Sequence, residues 1–264
     1  MKASGSLLAG RALDVIEAIA DAGPCSLAEV AERTQLAFST VHRVAQFLIG
    51  RGYIVSAKKG YYFLGPAALR LASTLSLNDM LKTIARPVLT DLARTCRASA
   101  HLGIFDGELV TYLIKASYGR SNLFSVEGMQ LEAYCSAVGK ALLAHQSADQ
   151  IETYLGRGEF VALTPHTVVE PLAFRQALRD VYSQGWALDD EEILPGLRCL
   201  AMPILAPDGE AIAAVSVSFP AMSLEMSAVE RPLAAISKAV GRITDKLNPG
   251  FLGRRPEPSI NQDI

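Results

Sequence analysis

Between Arg33 and Asn78 the chain carries six Lys or Arg side chains and no Asp or Glu. Inside this stretch Thr40, His42, Arg43 and Gln46 recur at spacings that set them on one side of a helix, opposite Val41, Val44, Ala45 and Leu48. Hydroxyl, imidazole, guanidinium and amide groups are the donors and acceptors that pair with base edges in the major groove of DNA. Lys58 and Lys59 follow at the tip of an expected β-hairpin, where ammonium groups can reach phosphates beside the groove. A single basic amphipathic helix is more simply a solvated surface, so the neighbouring elements must decide its meaning.

Other residues could do covalent or metal chemistry. Cys135 and Cys199 are potential nucleophiles, and His101, His145 and His166 potential bases or ligands. The cysteines, Cys25, Cys96, Cys135 and Cys199, stand far apart with no CxxC pair, and no His lies at a metal-ligand spacing. A buried Cys behaves as a small apolar residue. Catalysis is therefore not expected, and neither a metal nor another cofactor. Asp189 to Glu192 read as a structural cluster on a helix or loop rather than an acid/base pair.

The elements that would position the basic face are legible. Leu8, Ala12, Val15, Ile16 and Ile19 form the buried stripe of a first helix that Gly23-Pro24 ends. Ser26 and Glu29 make a capping box for a short second helix, Leu27 to Arg33. Gln35 to Ala37 read as a turn, Ser39 as the cap of the third helix, and Tyr53–Val55 and Tyr61–Leu64 as the hairpin strands. Three helices and a lysine-tipped hairpin in this order are what a winged helix-turn-helix requires.

Beyond Gly65-Pro66 an apolar helical stretch spans Ala67 to Leu77, and a further helix reaches Arg86, where Pro87 kinks it or starts a new one. Strands are expected at 100–105, 109–114, 123–126, 200–205 and 211–219, with helices at 136–145, 172–183 and 228–247. This second part is α+β with a largely antiparallel sheet. The expected domains are 5–69 for DNA binding, 70–86 as a linker helix and 87–247 for effector binding and oligomerisation. A disordered tail, 248–264, follows.

Composition agrees with two domains. The 264 residues have a formal net charge of −2, but residues 1–76 hold eight bases and five acids, 8 − 5 = +3, which leaves 17 − 22 = −5 for the rest. The basic part suits a polyanion and the acidic part does not. No stretch of 18 apolar residues and no signal peptide occurs, so a cytoplasmic protein without a membrane segment is expected.

Arg11-Ala12-Leu13-Asp14, Ser26-Leu27-Ala28-Glu29, Ser39-Thr40-Val41-His42-Arg43 and Tyr61-Tyr62-Phe63-Leu64-Gly65 resemble the IclR family of transcriptional regulators. Ala137 to Leu143, Asp189 to Glu192 and Gly196 to Leu200 resemble its effector-domain motifs, so the likeness runs from about Gly5 to Leu247. It implies a GAF-like effector domain, a double-stranded DNA operator, a small organic acid effector and a homodimer or homotetramer. Pocket positions implied by the motifs are Leu123, Leu131, Ala137, Val138, Asp189, Leu197, Cys199, Ser216 and Ser218. Ser216 and Ser218 alternate on one strand and so share a face, where they could hold a carboxylate or carbonyl; the alternative is a solvated edge strand. Free N–H groups at the helix start near Ala137 would also suit an anion. Arg120 is a counter-ion candidate or a surface residue. Phe38 departs from the family, which usually has a small polar or basic residue there. Two rival readings are an enzyme using Cys199 or Cys135 and an architectural DNA-binding protein.

Overall fold

The computed structural model describes residues 2–58, 60–74, 76–119, 123–157, 160–206 and 209–247. Its contacts divide the chain into two compact units, Met1–Leu77 and Asn78–Ile264. Lys59, Arg120 and the expected tail lie outside the described residues.

The first unit holds α1 (Lys2–Ala22), α2 (Leu27–Thr34), α3 (Phe38–Gly50), β1 (Ile54–Lys58), β2 (Tyr61–Leu64) and α4 (Pro66–Ala72). Ser26 and Glu29 cap α2 reciprocally, each side chain accepting from the other's backbone N–H. Gln35 then turns the chain with φ 55°, which ends α2 and lets α3 cross it. Val15 and Ile19, Leu27 and Val30, and Val41, Val44, Ala45 and Leu48 form a common core with Ile54. Leu8 departs from the expected stripe: it is 53% exposed, and with Leu7 it flanks an open groove beside Phe47 of α3. Ser39 is not the cap of α3. The helix starts at Phe38 with Ala37 as its N-cap and no side-chain cap, which leaves Ser39 exposed in the first turn.

β1 and β2 pair antiparallel from Ile54↔Leu64 to Lys58↔Tyr61 and form the wing. Cys25 adds a bridge to Tyr62, with N···O distances of 3.0 and 2.8 Å, and so ties the wing to the start of α2. Gly65 ends the wing against Gly52, where a Cβ would stand 2.3 Å from the Gly52 carbonyl oxygen. Only glycine permits that approach.

The second unit is a six-stranded antiparallel sheet, in the order β5-β4-β3-β8-β7-β6. Its strands are β3 (Ser99–Phe105), β4 (Leu109–Ser117), β5 (Gln130–Glu132), β6 (Ala187–Asp190), β7 (Leu197–Leu205) and β8 (Ala211–Pro220). One face packs on α5 (Leu77–Cys96) and α9 (Glu230–Leu247) through Leu89, Leu92, Ile236 and Ile243. The other packs on α6 (Ala137–Leu143), α7 (Ala148–Leu155) and α8 (Pro171–Gln184). α5 runs on through Pro87 without starting anew.

Three differences from the sequence reading matter for the site. Residues 123–126 are not a strand, because the Lys115 ammonium takes the carbonyls of Leu123 and Ser125 that a ladder would need. The strand that follows β4 is β5 instead. Of the cluster Asp189 to Glu192, Asp189 and Asp190 lie on the edge strand β6 rather than on a helix or loop, while Glu191 and Glu192 follow it in a bend as expected. Finally, the helix expected at 136–145 is the shorter α6, Ala137–Leu143 with Ser136 as its N-cap; it is buried along its whole length, and a Cβ on Gly139 would stand 2.1 Å from the Ala133 carbonyl oxygen.

Candidate functional site

In the first unit, Ser39, His42, Arg43 and Gln46 stand at i, i+3, i+4 and i+7 of α3 and are all exposed, with Thr40 half-buried beside them. That spacing places them on one ridge of a helix 13 residues long, roughly 20 Å. No carboxylate pairs with Arg43 or Lys58 among the described residues. Lys58 is exposed at the end of β1. Phe38, at the start of the same ridge, is 55% exposed with its ring 6.3 Å from that of His42.

In the second unit the strand registers build two polar rows on the face below α6. Ser117, Ser99, Ser218, Cys199 and Asp189 are successive partners across β4, β3, β8, β7 and β6. Lys115, His101, Ser216, Ala201 and Ala187 form the next row. Residues directly opposite in an antiparallel pair share a face, so the floor beneath α6 is polar at its centre. β8 lies between β3 and β7, and both Ser216 and Ser218 are buried, so the edge-strand alternative does not describe them.

Eight of the positions implied by the family motifs line one pocket. Ser216, Ser218 and Cys199 form its floor, Ala137 and Val138 its roof at the start of α6, and Leu123, Asp189 and Leu197 its sides. Tyr112, Phe124, Ser125, Ser136 and Ile193 complete it. Leu131 belongs to the same apolar cluster but lines a neighbouring groove with Phe124 and Ile193. The space open to the centre of a water molecule is about 10 Å³, room for roughly one water. A wider cleft, lined by Tyr118, Pro195 and Phe219, adjoins it and shares Leu123, Leu197 and Ser218.

Burial dominates the electrostatics. It pushes the Asp189 carboxyl up to about 7, against the pull of Lys140 and of the Glu192 N–H that Asp189 accepts at 2.8 Å. The Cys199 thiol, 3.2 Å from Ser218 Oγ, is raised well above its ordinary value by burial and then by Asp189. Cys135 is pushed up to about 12 for the same two reasons. Neither thiol can supply a thiolate near neutral pH. Lys140 and Glu192 form a buried ion pair behind Asp189. His101, held down at about 3 by burial and Lys115, is a neutral ring stacked on Tyr112 at 4.5 Å. Its Nε2 bonds Ser125 Oγ at 2.8 Å, while its Nδ1 and Ser216 Oγ are buried without partners among the described residues. Ser136 caps α6 by accepting from Gly139 N at 3.0 Å, so one of the N–H groups that could meet an anion is already engaged.

Sequence reasoning dismissed His101 and passed over Ser99, Lys115 and Ser125. The available signal was the Ser99–His101 alternation on β3, which mirrors Ser216–Ser218 on β8. Among the described residues no group of three His, Cys, Asp or Glu side chains could hold a metal ion, and no helix is long and apolar enough to cross a membrane.

Comparison with known proteins decides between the readings. The family model of the bacterial transcriptional regulator IclR C-terminal domain matches residues 73–245, and that of the IclR helix-turn-helix domain matches residues 8–57. The chain belongs to the IclR family of transcriptional regulators. This IclR-family chain is 36% identical over 247 residues to the HTH-type transcriptional regulator BhcR of Paracoccus denitrificans, covering 93% of this chain and 87% of that one. It is 28% identical over 239 residues to the transcriptional repressor IclR of Escherichia coli, covering 89% and 87%. The crystal structure of Thermotoga maritima IclR matches with a TM-score of 0.61 and 25% identity over 90% of this chain and 97% of that one. An IclR homolog from Microbacterium hydrocarbonoxydans, solved in complex with 4-hydroxybenzoate, matches in fold with a TM-score of 0.61 at 24% identity over 92% and 99%. The family and these relatives are DNA-binding transcriptional regulators, not enzymes, and the enzyme reading falls on that ground.

Proposed function

We propose that this IclR-family regulator reads an operator with the exposed ridge of α3 and that a small organic acid in the pocket of its second unit controls that binding. Ser39, Thr40, His42, Arg43 and Gln46 are the base-reading and helix-orienting side chains, and the wing lysines Lys58 and Lys59 hold flanking phosphates. Paired copies present two such ridges to the two half-sites of an operator, so a homodimer or homotetramer is the working form, in the cytoplasm. The ligand-bound homolog from Microbacterium motivates the choice of an aromatic acid as a first probe.

The observation that carries the effector reading is the polar floor beneath α6, where Ser216 Oγ is buried without a partner among the described residues and burial raises the Asp189 carboxyl to about 7. Hydroxyls and a protonated carboxyl are donors, and donors in an enclosed apolar setting receive a carboxylate. Ligand binding shifts operator affinity by the difference in its affinity for the two states of the protein.

Titrating purified protein against duplex from its own upstream region and against random duplex at moderate salt tests the reading, with and without 4-hydroxybenzoate and short α-keto acids. Preference for the upstream duplex, altered by one of these acids, is the expected result. Equal affinity for both duplexes would overturn the operator reading and favour an architectural binder.

A further inference from the structure

Residues Leu123 to Glu127 connect the pocket wall to α5. Leu123, Phe124 and Ser125 line the pocket, yet the segment has no place in the β-ladder. Lys115 of β4 holds it instead: its Nζ donates to Leu123 O at 2.9 Å and Ser125 O at 2.5 Å, and its backbone N–H donates to Glu127 Oε1 at 3.0 Å. His101 fastens the middle through Ser125. At the far end Glu127 receives both terminal nitrogens of Arg86 on α5, at 2.8 and 3.1 Å. Lys82, also on α5, adds its charge and helps hold the Glu127 carboxylate ionised. Backbone bonding to β4 begins at Gly128, which donates to Tyr112 O at 2.7 Å, and the β4–β5 ladder at Gln130.

Two observations make this strap more than a connection. The pocket has room for roughly one water, so admitting an organic acid requires a wall to move. The roof, α6, is wholly buried and the floor is laddered sheet, whereas the strap lies outside the ladder and is held by the side chains of Lys115, His101 and Arg86. The Arg86–Glu127 pair is about half exposed, 50% and 41%, and a pair that accessible is broken and remade easily.

We propose that the strap 123–127 is the relay by which occupancy of the pocket reaches α5, the helix that follows the DNA-binding unit in the chain, with Lys115, Glu127 and Arg86 as positioning residues. The proposal rests on the reading of the pocket as the effector site. Coupling of this kind must be reciprocal: loosening the α5 end loosens the pocket end, and the reverse.

Hydrogen exchange on the full-length protein tests it without ligand or DNA. Arg86→Gln should speed exchange of the 123–127 amides at least fivefold, and Lys115→Met or Ser125→Ala should speed exchange in peptides spanning 80–90 at least fivefold. Protection in α9 and in β7–β8 should stay at the wild-type level in each case. If Lys115→Met loosens the whole unit, Ser125→Ala carries the test. Loosening in one direction only, or in neither, with α9 protection intact, overturns the relay. Because neither DNA nor effector enters this assay, such a result leaves the regulator reading standing, and the duplex titration judges that separately.

Discussion

Replacing Asp189 with Asn should stabilise the effector unit increasingly as pH rises. Asp189 is 1% exposed and its carboxyl is raised from 3.8 to about 7, chiefly by burial. Between those two values the folded chain keeps a proton that the unfolded chain has released, so folding becomes less favourable as pH rises and the loss is complete above about pH 7. Asn cannot ionise, yet its amide oxygen can still accept the Glu192 N–H that Asp189 accepts at 2.8 Å. At about 1.4 kcal/mol per unit of pKa difference, the variant's advantage grows from about 2 kcal/mol at pH 5 to about 4 kcal/mol at pH 8. Urea unfolding followed by the fluorescence of Trp186 reports this unit directly, because Trp186 is the only tryptophan in the chain and lies three residues from Asp189. An Asp189→Asn advantage that stays flat between pH 5 and pH 8, or a wild type that is the more stable at pH 8, would refute the protonated-carboxyl argument.

Arg43→Ala should weaken binding to the upstream duplex by about 10- to 100-fold, the value of one bidentate base contact, while leaving the thermal midpoint unchanged because Arg43 is exposed; unaltered affinity in a gel-shift titration would move the reading face away from α3. Ser216→Ala with Ser218→Ala should abolish the response of operator binding to effector and spare binding without it, whereas a normal calorimetric titration with the effector would mean that the pocket is misplaced. Gly139→Ala should cost roughly 3 kcal/mol or more, because the added carbon would meet the Ala133 carbonyl; a urea midpoint within error of wild type would show that α6 can shift away.

The sequence revealed most where local chemistry decides. In the first unit the Ser26–Glu29 box, the Gly23-Pro24 stop and the periodicity of α3 needed no tertiary information, and the helices and wing appear where those signals put them. Leu8 was misread because an apolar stripe says which face is sticky but not how far the neighbouring helices extend beneath it. Ser39 was misread as a cap because Ala37 and Phe38 carry no capping side chain to compete with it, yet helical geometry begins at Phe38. In the second unit the misses share a cause in long-range contacts. Leu123–Val126 has strand composition, and the ammonium of Lys115, brought beside it by β4, takes the carbonyls of Leu123 and Ser125 out of pairing. His101 between Ala100 and Leu102 looks like one more core position until β8 sets Ser216 opposite it.

The two faces of the sheet show why periodicity alone could not bring the motif-implied positions around one cavity. Along β8, Ala213, Val215, Val217 and Phe219 join the cluster beneath α5 and α9, while Ser216 and Ser218 alternate with them toward α6. Alternating Val and Ser in an isolated strand is the pattern of a sheet with one solvated face. Here helices cover both faces, so hydroxyls that the pattern assigns to water are enclosed. An unpartnered buried hydroxyl costs about 1–3 kcal/mol, and filling the same volume with Ala would avoid it. On the effector reading proposed above, a ligand that accepts from Ser216, whose Oγ is buried without a partner among the described residues, and from the Asp189 carboxyl would relieve that cost and stabilise the state that binds it.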